Sequence, residues 1–362
     1  MKRLTITRSS VALLAVLAGA CTGDVPSAAA PTDPTLARAP AEYTVLNVGA
    51  LLGDYSSAAR AVNNAGDLAG HYCCDPGTRA FALVSGAPVF LGGASGAAWG
   101  MSNGSPALVA GSADGLPVLW SLAGPASPMP LERTAAEIAA EAGGTARGVN
   151  VAGAAVGDVA GVPAMWAAGG SRIVDAIATP AGYGRGEGRG IDDAGHAIFQ
   201  FFVPGGNQET ADSRAYVRLA TGVVVELPPV GTDVTSFAND IGEEASGLVY
   251  VAGSTRSSEL VSRAVRWTVD VAAASVVGVD LIATTGAHGL GVSDAGGIAG
   301  FVDVGSFKSY AYLWRGAGLL KLNAPKGTRD SKAWAMSRSG QYVAGQAIGG
   351  STQAVRWTIA TP

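Results

Sequence analysis

Short apolar runs separated by glycine-bearing turns set the rhythm of this chain. The stretch 287–323, AHGLGVSDAGGIAGFVDVGSFKSYAYLWRGAGLLKLN, shows it most fully. One apolar run ends at Val292-Ser293, and Asp294-Ala295-Gly296 turns the chain. Residues 298–302, 310–314 and 319–322 form three further runs. Runs of this length bounded by turn residues read as strands, and four of them with tight connections predict one small antiparallel sheet.

The unit recurs. Aligned on the glycine that closes the first turn, the repeats fall at Gly66, Gly104, Gly153, Gly195, Gly242, Gly296 and Gly340, spaced by 38, 49, 42, 47, 54 and 44 residues. A period of this size marks a repeat array. Asn63, Asn150, Asp192, Asn239, Ser293 and Ser337 stand three residues before six of these glycines, and Ser102 stands two before Gly104. Such side chains start turns by accepting bonds from their own backbone, and glycine supplies the left-handed position. Their expected role is structural. Small residues precede the apolar one in the strand before the turn, as in Gly100-Met101, Gly148-Val149, Gly190-Ile191 and Gly291-Val292, with Phe237-Ala238 inverted. That suits the innermost strand of a radial array, where large side chains would overpack. The third run ends on Trp120, Trp166, Trp267, Trp314 and Trp357, with Leu83 and Arg218 at the same place in the first and fourth repeats. A tryptophan recurring at one position is expected to pack between sheets.

Sheets with two apolar faces need cover on both, and radial repetition supplies it. The fold predicted for residues 41–362 is therefore all-β, a seven-bladed β-propeller. After Trp357 too few residues remain for a fourth strand, whereas the strand-like run 42–47, EYTVLN, has no repeat of its own. It would complete the last blade and close the ring. One segment breaks the strand pattern: residues 134–143 start with a capping box, Thr134 and Glu137, and stop at Gly143. They predict one short helix inserted between the second and third blades.

The N-terminus is of another kind. Lys2, Arg3 and Arg8 precede a ten-residue apolar run, 11–20, too short to span a bilayer. Ala18-Gly19-Ala20-Cys21 then resembles a bacterial lipobox, although Leu17 stands four residues before the cysteine rather than three. Two readings are open: a signal peptide, 1–20, with lipidation of Cys21 and membrane anchoring, or plain secretion. Thr22 after the cysteine, rather than Asp, points to the outer membrane in a Gram-negative host. Residues 21–40, rich in Pro, Ala, Ser and Thr, read as a tether.

The 52 glycines carry no collagen period and sit at turns, in keeping with the β reading. Net charge is −4 with no basic block, which argues against a nucleic-acid partner. A monomer is expected.

The repeats ARAVNNAGDLAG (59–70), ARGVNVAGAAVG (146–157), GRGIDDAGHAIF (188–199) and SDAGGIAG (293–300) with AYLW (311–314) resemble the HAF-type bacterial extracellular repeat over roughly residues 42–360. The resemblance implies export and a propeller-like fold. It supplies no catalytic residues.

Chemistry is sparse. His71, His196 and His288 fall in different repeats at different offsets and form no metal-binding pattern. No nucleophile elbow, P-loop or EF-hand loop occurs, so neither cofactor nor metal is expected. The run GYGRGEGRG (182–190) reads as a flexible inter-blade loop. Arg60, Arg147 and Arg189 share one repeat position, with Trp99 and Trp334 at the equivalent places. These five either line a binding site near the axis or merely pair with carboxylates and backbone oxygens. Cys73 and Cys74 are adjacent, and in an oxidising compartment could form a strained vicinal disulfide. The leading expectation is a non-enzymatic cell-envelope propeller displaying loops for a protein or glycan. The alternative is a polysaccharide lyase or hydrolase on the same fold, which rests on analogy.

Overall fold

The structure is a computed structural model and describes residues 43–360, apart from 54, 75–76, 125, 175, 205–211, 244–245, 306–307 and 317. Cys21, the expected signal peptide and the tether lie outside the described residues. Seven four-stranded antiparallel sheets make a seven-bladed β-propeller. The innermost strands of blades one to seven are Ser57–Val62, Gly96–Met101, Gly144–Val149, Arg185–Ile191, Thr235–Glu243, Ala287–Val292 and Asp330–Met336. Each pairs with the next strand in sequence, and blades one to six proceed outwards in chain order.

Ring closure follows the expected plan. Tyr43–Asn47 pairs antiparallel with Thr352–Ile359 and forms the outer strand of blade seven, with Tyr43 opposite Ile359 and Asn47 opposite Val355. The Tyr43 hydroxyl also accepts from the Asn323 backbone N–H at 2.7 Å, tying this strand to the exit of blade six.

Among the described residues there are two short helices rather than one. The expected one, Ala135–Ala139, lies between blades two and three with its Thr134/Glu137 capping box formed. The other, Val48–Leu51, follows the closing strand directly and is capped by Asn47. Its Val48, with Leu52 just after it, is buried in a cluster with Phe81 and Leu83 of blade one and Ala344 and Ala354 of blade seven. One turn of helix is too short to carry a periodic signal, so packing across the closing junction holds it.

The turn chemistry is as expected in five repeats, where Gly66, Gly153, Gly195, Gly296 and Gly340 all have positive φ. The Oδ1 of Asn63 accepts from the N–H groups of Ala65 and Asp67, and that of Asp192 accepts from His196 N–H. Two repeats differ. The second hairpin is longer, and Ser102 Oγ reaches forward to Leu108 N–H. In the fifth, Gly242 is not a turn residue, because the inner strand runs on to Glu243. The left-handed glycine there is Gly247. Blade five is built of nine-residue strands, so its turn lies further along the chain.

The glycine-rich run 182–190 is not a loop either: Arg185–Ile191 is the inner strand of blade four. Its glycines answer to crowding. A Cβ on Gly188 would lie 2.8 Å from the Gly157 backbone nitrogen of blade three. Likewise, a Cβ on Gly100 would lie 2.4 Å from Arg147 O in the next blade.

Three recurring bonds hold blade to blade. Trp120, Trp166, Trp267 and Trp357 are fully buried, and each indole N–H donates to a backbone carbonyl near the end of the preceding blade: Gly92, Glu132, Pro228 and Asn323, at 2.7–3.1 Å. Arg218, which replaces the tryptophan in blade four, makes the same kind of bond to Ala176 O at 2.7 Å. Trp314 departs from the pattern; it is half-buried against the Arg266 guanidinium. Serines at the start of inner strands form the second link: Ser57, Ser236 and Ser331 accept from the backbone N–H of Ala354, Ala215 and Ala311 of the preceding blade at 3.0–3.1 Å. The arginines of the two AVRW motifs form the third, Arg266 donating to Gly296 O and Arg356 to Gly66 O in the next blade's turn.

Candidate functional site at the propeller axis

Every inner strand carries a β-bulge, and the seven bulges add Arg60, Trp99, Arg147, Arg189, Asn239, Leu290 and Trp334. A bulge leaves one residue outside the ladder and re-aims its side chain. Repeated seven times, it turns a ring of side chains towards the axis. Together these seven residues line a cavity of about 140 Å³. A second cavity, of about 100 Å³, shares them and adds residues that follow six of the bulges, among them Asp240, together with Arg338.

All five residues singled out in the sequence, Arg60, Arg147, Arg189, Trp99 and Trp334, belong to this ring. Asn239 and Leu290 were missed. Asn239 looked like a turn starter because Gly242 follows it at turn spacing. Leu290 is apolar and carries no chemical signal, yet it stands just before a small residue, Gly291, as Trp99, Arg147 and Arg189 stand before Gly100, Gly148 and Gly190. That offset was the readable mark of the ring.

The ring is charged unevenly. Arg147 and Arg189 both close on the buried Glu187 carboxylate, at 2.7 and 2.5 Å, and Arg147 reaches Asp158 at 3.5 Å. Burial pulls Arg189 below the ordinary guanidinium range, and Glu187 opposes that shift. Burial raises Asp158, with Arg147 pulling the other way. Asp240 is raised by burial too, against Arg338 and the backbone N–H groups of Val292 and Ile241, each donating at 2.9 Å.

Arg60 is different. Its guanidinium lies 4.0 Å from the Trp334 ring centroid and 5.2 Å from that of Trp99. Among the described residues it has no carboxylate within ion-pair distance, and its buried Nε has no hydrogen-bond partner. Burial brings its pKa down to about 10, so it stays charged at neutral pH. His71 sits beside it, its ring 5.7 Å from that of Trp99 and its buried Nδ1 unpartnered. Burial, then the Arg60 charge, takes His71 down to about 4, so it is neutral at pH 7.

The other histidines serve packing. His196 Nδ1 accepts from Ala220 N–H at 3.0 Å, and His288 stacks on Phe301 at 4.6 Å. Among the described residues no three His, Cys, Asp or Glu side chains cluster closely enough to hold a metal ion. The vicinal disulfide is not formed: Cys73 is a free, exposed thiol in an extended strand, a conformation that turns successive side chains to opposite faces. The side chain of Cys74 lies outside the described residues.

No family model and no curated protein sequence matches the chain. Among solved structures, a chain of a mitotic checkpoint complex superposes with a TM-score of 0.51 at 14% identity, covering 96% of this chain and 100% of that one. The β-propeller domain of Cps50 (Swd1) from Myceliophteria thermophila gives a TM-score of 0.49 at 13% identity, over 84% of this chain and 97% of that one. A protein of unknown function from Dyadobacter fermentans gives 0.47 at 11%, over 84% and 95%. At such identities the likeness is one of fold: this chain is similar to β-propellers in architecture.

Proposed function

We propose that this chain is a non-catalytic binding propeller of the bacterial cell envelope, exported, held by a lipid on Cys21, and taking a protein or glycan ligand at its axis. The observation that carries the binding role is the unpartnered Arg60 guanidinium between Trp99 and Trp334 in an open axial cavity. Arg60 is half-buried, and a partly desolvated charge without a counter-ion carries a cost that persists where something else is gained from it. The envelope placement rests on the n-region, the apolar run 11–20 and the lipobox-like Ala18-Gly19-Ala20-Cys21, together with the resemblance to extracellular repeats. Binding is tested by titrating envelope glycans and peptides while following tryptophan fluorescence. A ligand that shifts the emission of the parent but not of a Trp99→Ala/Trp334→Ala double variant supports the axial site, and cleavage of any titrated glycan would replace this reading with an enzymatic one. Anchoring is tested by Cys21→Ala, which should move the protein from the membrane to the soluble fraction; unchanged fractionation rules out the lipid.

A further inference from the structure

We infer that the axial site is built for a single carboxylate carried on an acidic sugar, a uronate, seated on Arg60 between Trp99 and Trp334. This rests on the axial binding reading and names its ligand class.

The charge count around the ring comes first. Of its three arginines, Arg147 and Arg189 are balanced by two carboxylates, Glu187 between them and Asp158 beside Arg147. Arg60 alone has no counter-ion among the described residues. His71 adds hydrogen-bonding capacity without charge. Arg338 and Asp240, which line the adjoining cavity, offset each other. The site therefore offers one net positive charge at one place. A monoanion matches it, whereas a dianion such as a phosphate monoester would carry surplus charge towards the carboxylates of Glu187 and Asp240 that line or back the same channel.

Geometry then selects the kind of monoanion. The planar guanidinium presents donors as a fork that a carboxylate accepts with two oxygens. The Nε of Arg60 is buried and unused. The neighbouring His71 Nδ1, also unused, is a further polar atom for the same group.

Size and surroundings select what bears the carboxylate. A cavity of about 140 Å³ takes the carboxylate and part of the unit that bears it. The remainder must lie at the opening. Trp99 and Trp334 are half-buried and flank Arg60 in the lining of this cavity. Arg60 covers one face of Trp334, and the indole surface left beside this anion-binding group suits the C–H face of a pyranose ring bearing a carboxylate at C5. A peptide C-terminus would satisfy the arginine but would leave the aromatic pair without a matching face.

The test uses the full chain and short oligomers of galacturonate, glucuronate and mannuronate. A neutral galactose oligomer and peptides with free or amidated C-termini complete the set. Calorimetry and tryptophan fluorescence read the binding. At least one uronate oligomer should bind and raise the melting temperature of the parent. Arg60→Gln should weaken it by about ten-fold or more, because a charge-assisted pair is lost. Arg185→Gln, which removes an exposed arginine from the start of an inner strand, should leave binding unchanged. Since Arg60 has no ion pair to lose, Arg60→Gln should fold as well as the parent, and its melting temperature without ligand checks this. Equal binding of the neutral galactose oligomer, or uronate binding unaffected by Arg60→Gln, overturns the carboxylate assignment; the axial site itself then stands if Trp99→Ala/Trp334→Ala still abolishes binding. A free C-terminal peptide that outcompetes all three uronates overturns the sugar. If none of the three uronates binds, the inference is wrong.

Discussion

Two arcs of the axial ring are made by the same backbone device and finished differently. Between blades three and four, Arg147 and Arg189 face a carboxylate that the chain supplies itself, Glu187, two residues before the bulge at Arg189. Between blades seven and one, Arg60 faces indoles, and the residue two before its bulge is Ala58. An arginine at a bulge is thus no sign of function by itself. Its meaning depends on whether the inner strand also provides an acid. The two arcs differ in a second respect. The paired arc lies where the chain runs continuously from one blade to the next, whereas the unpaired arc straddles the junction at which the two ends of the propeller meet.

That contrast can be broken most forcefully at the junction. Deleting residues 41–48 removes the closing strand and Val48, so it should lower the melting temperature clearly and shift the emission of Trp99 and Trp334 to longer wavelength. Deleting 22–40 should change neither; if both deletions melt like the parent, the closing strand contributes nothing. Next in size is Glu187→Gln. It leaves the largely desolvated Arg189 without its carboxylate and Arg147 with Asp158 alone, and should cost about 3 kcal/mol in denaturant unfolding. A loss below about 1 kcal/mol would show that the paired arc is no more committed to stability than the other.

Acid should separate the groups more finely. His71 in the unpaired arc and His288 near Asp303 and Lys332 are both taken down to about 4, chiefly by burial; Arg60 adds to the shift at His71, and Asp303 opposes it at His288. Between about pH 6.5 and 4 the unfolded chain binds protons that the folded chain refuses, so stability falls as pH falls through that window, by on the order of 3 kcal/mol for each histidine. The buried Asp158 and Asp240, raised in the fold, act in the opposite sense below their folded pKa values. Comparing the parent with His71→Gln and His288→Gln isolates the histidine part: each variant should flatten the slope, and an unchanged slope would mean that the histidine is protonated in the fold. The smallest effect belongs to Arg60→Gln, whose change in stability should lie within about 1 kcal/mol of zero or favour the variant. A loss as large as that of Glu187→Gln would erase the distinction between the arcs.

Much of the architecture was legible because each repeat states its strands and turns through local residues. Asn63, Asp192 and Gly66 act on backbone within a few positions, so their roles could be read without knowing the fold. The capping box at Thr134 is local in the same way. Five of the seven ring residues could be found because arginine and tryptophan recur at one offset before a small residue. What escaped depends on contacts distant in sequence. Blade five keeps its strands paired for nine residues, which carried Gly242 out of the turn and Asn239 into the ring. The single-turn helix Val48–Leu51 is held by blades one and seven rather than by its own periodicity. The serine link between blades was invisible because Ser57 bonds to Ala354, 297 residues away. Above all, nothing in the sequence marked Glu187 as the residue that would bridge two arginines while leaving the third alone.

The bonds at the closing junction have a consequence for where the chain could begin. Blade seven grips blade one through Ser57 and Arg356, the same links that Ser236 and Ser331 make at two other junctions and Arg266 at a third. Mechanically, the junction uses links found elsewhere in the ring and is not a special clasp. Tyr43 and Ile359 face each other across the final ladder, so a short hairpin linker could join them without moving either strand. A circular permutant opened between blades two and three, with Ile359 joined to Tyr43, should therefore keep the ring, the bulges and the lone arginine at the axis, with its ends carried to the other side of the molecule.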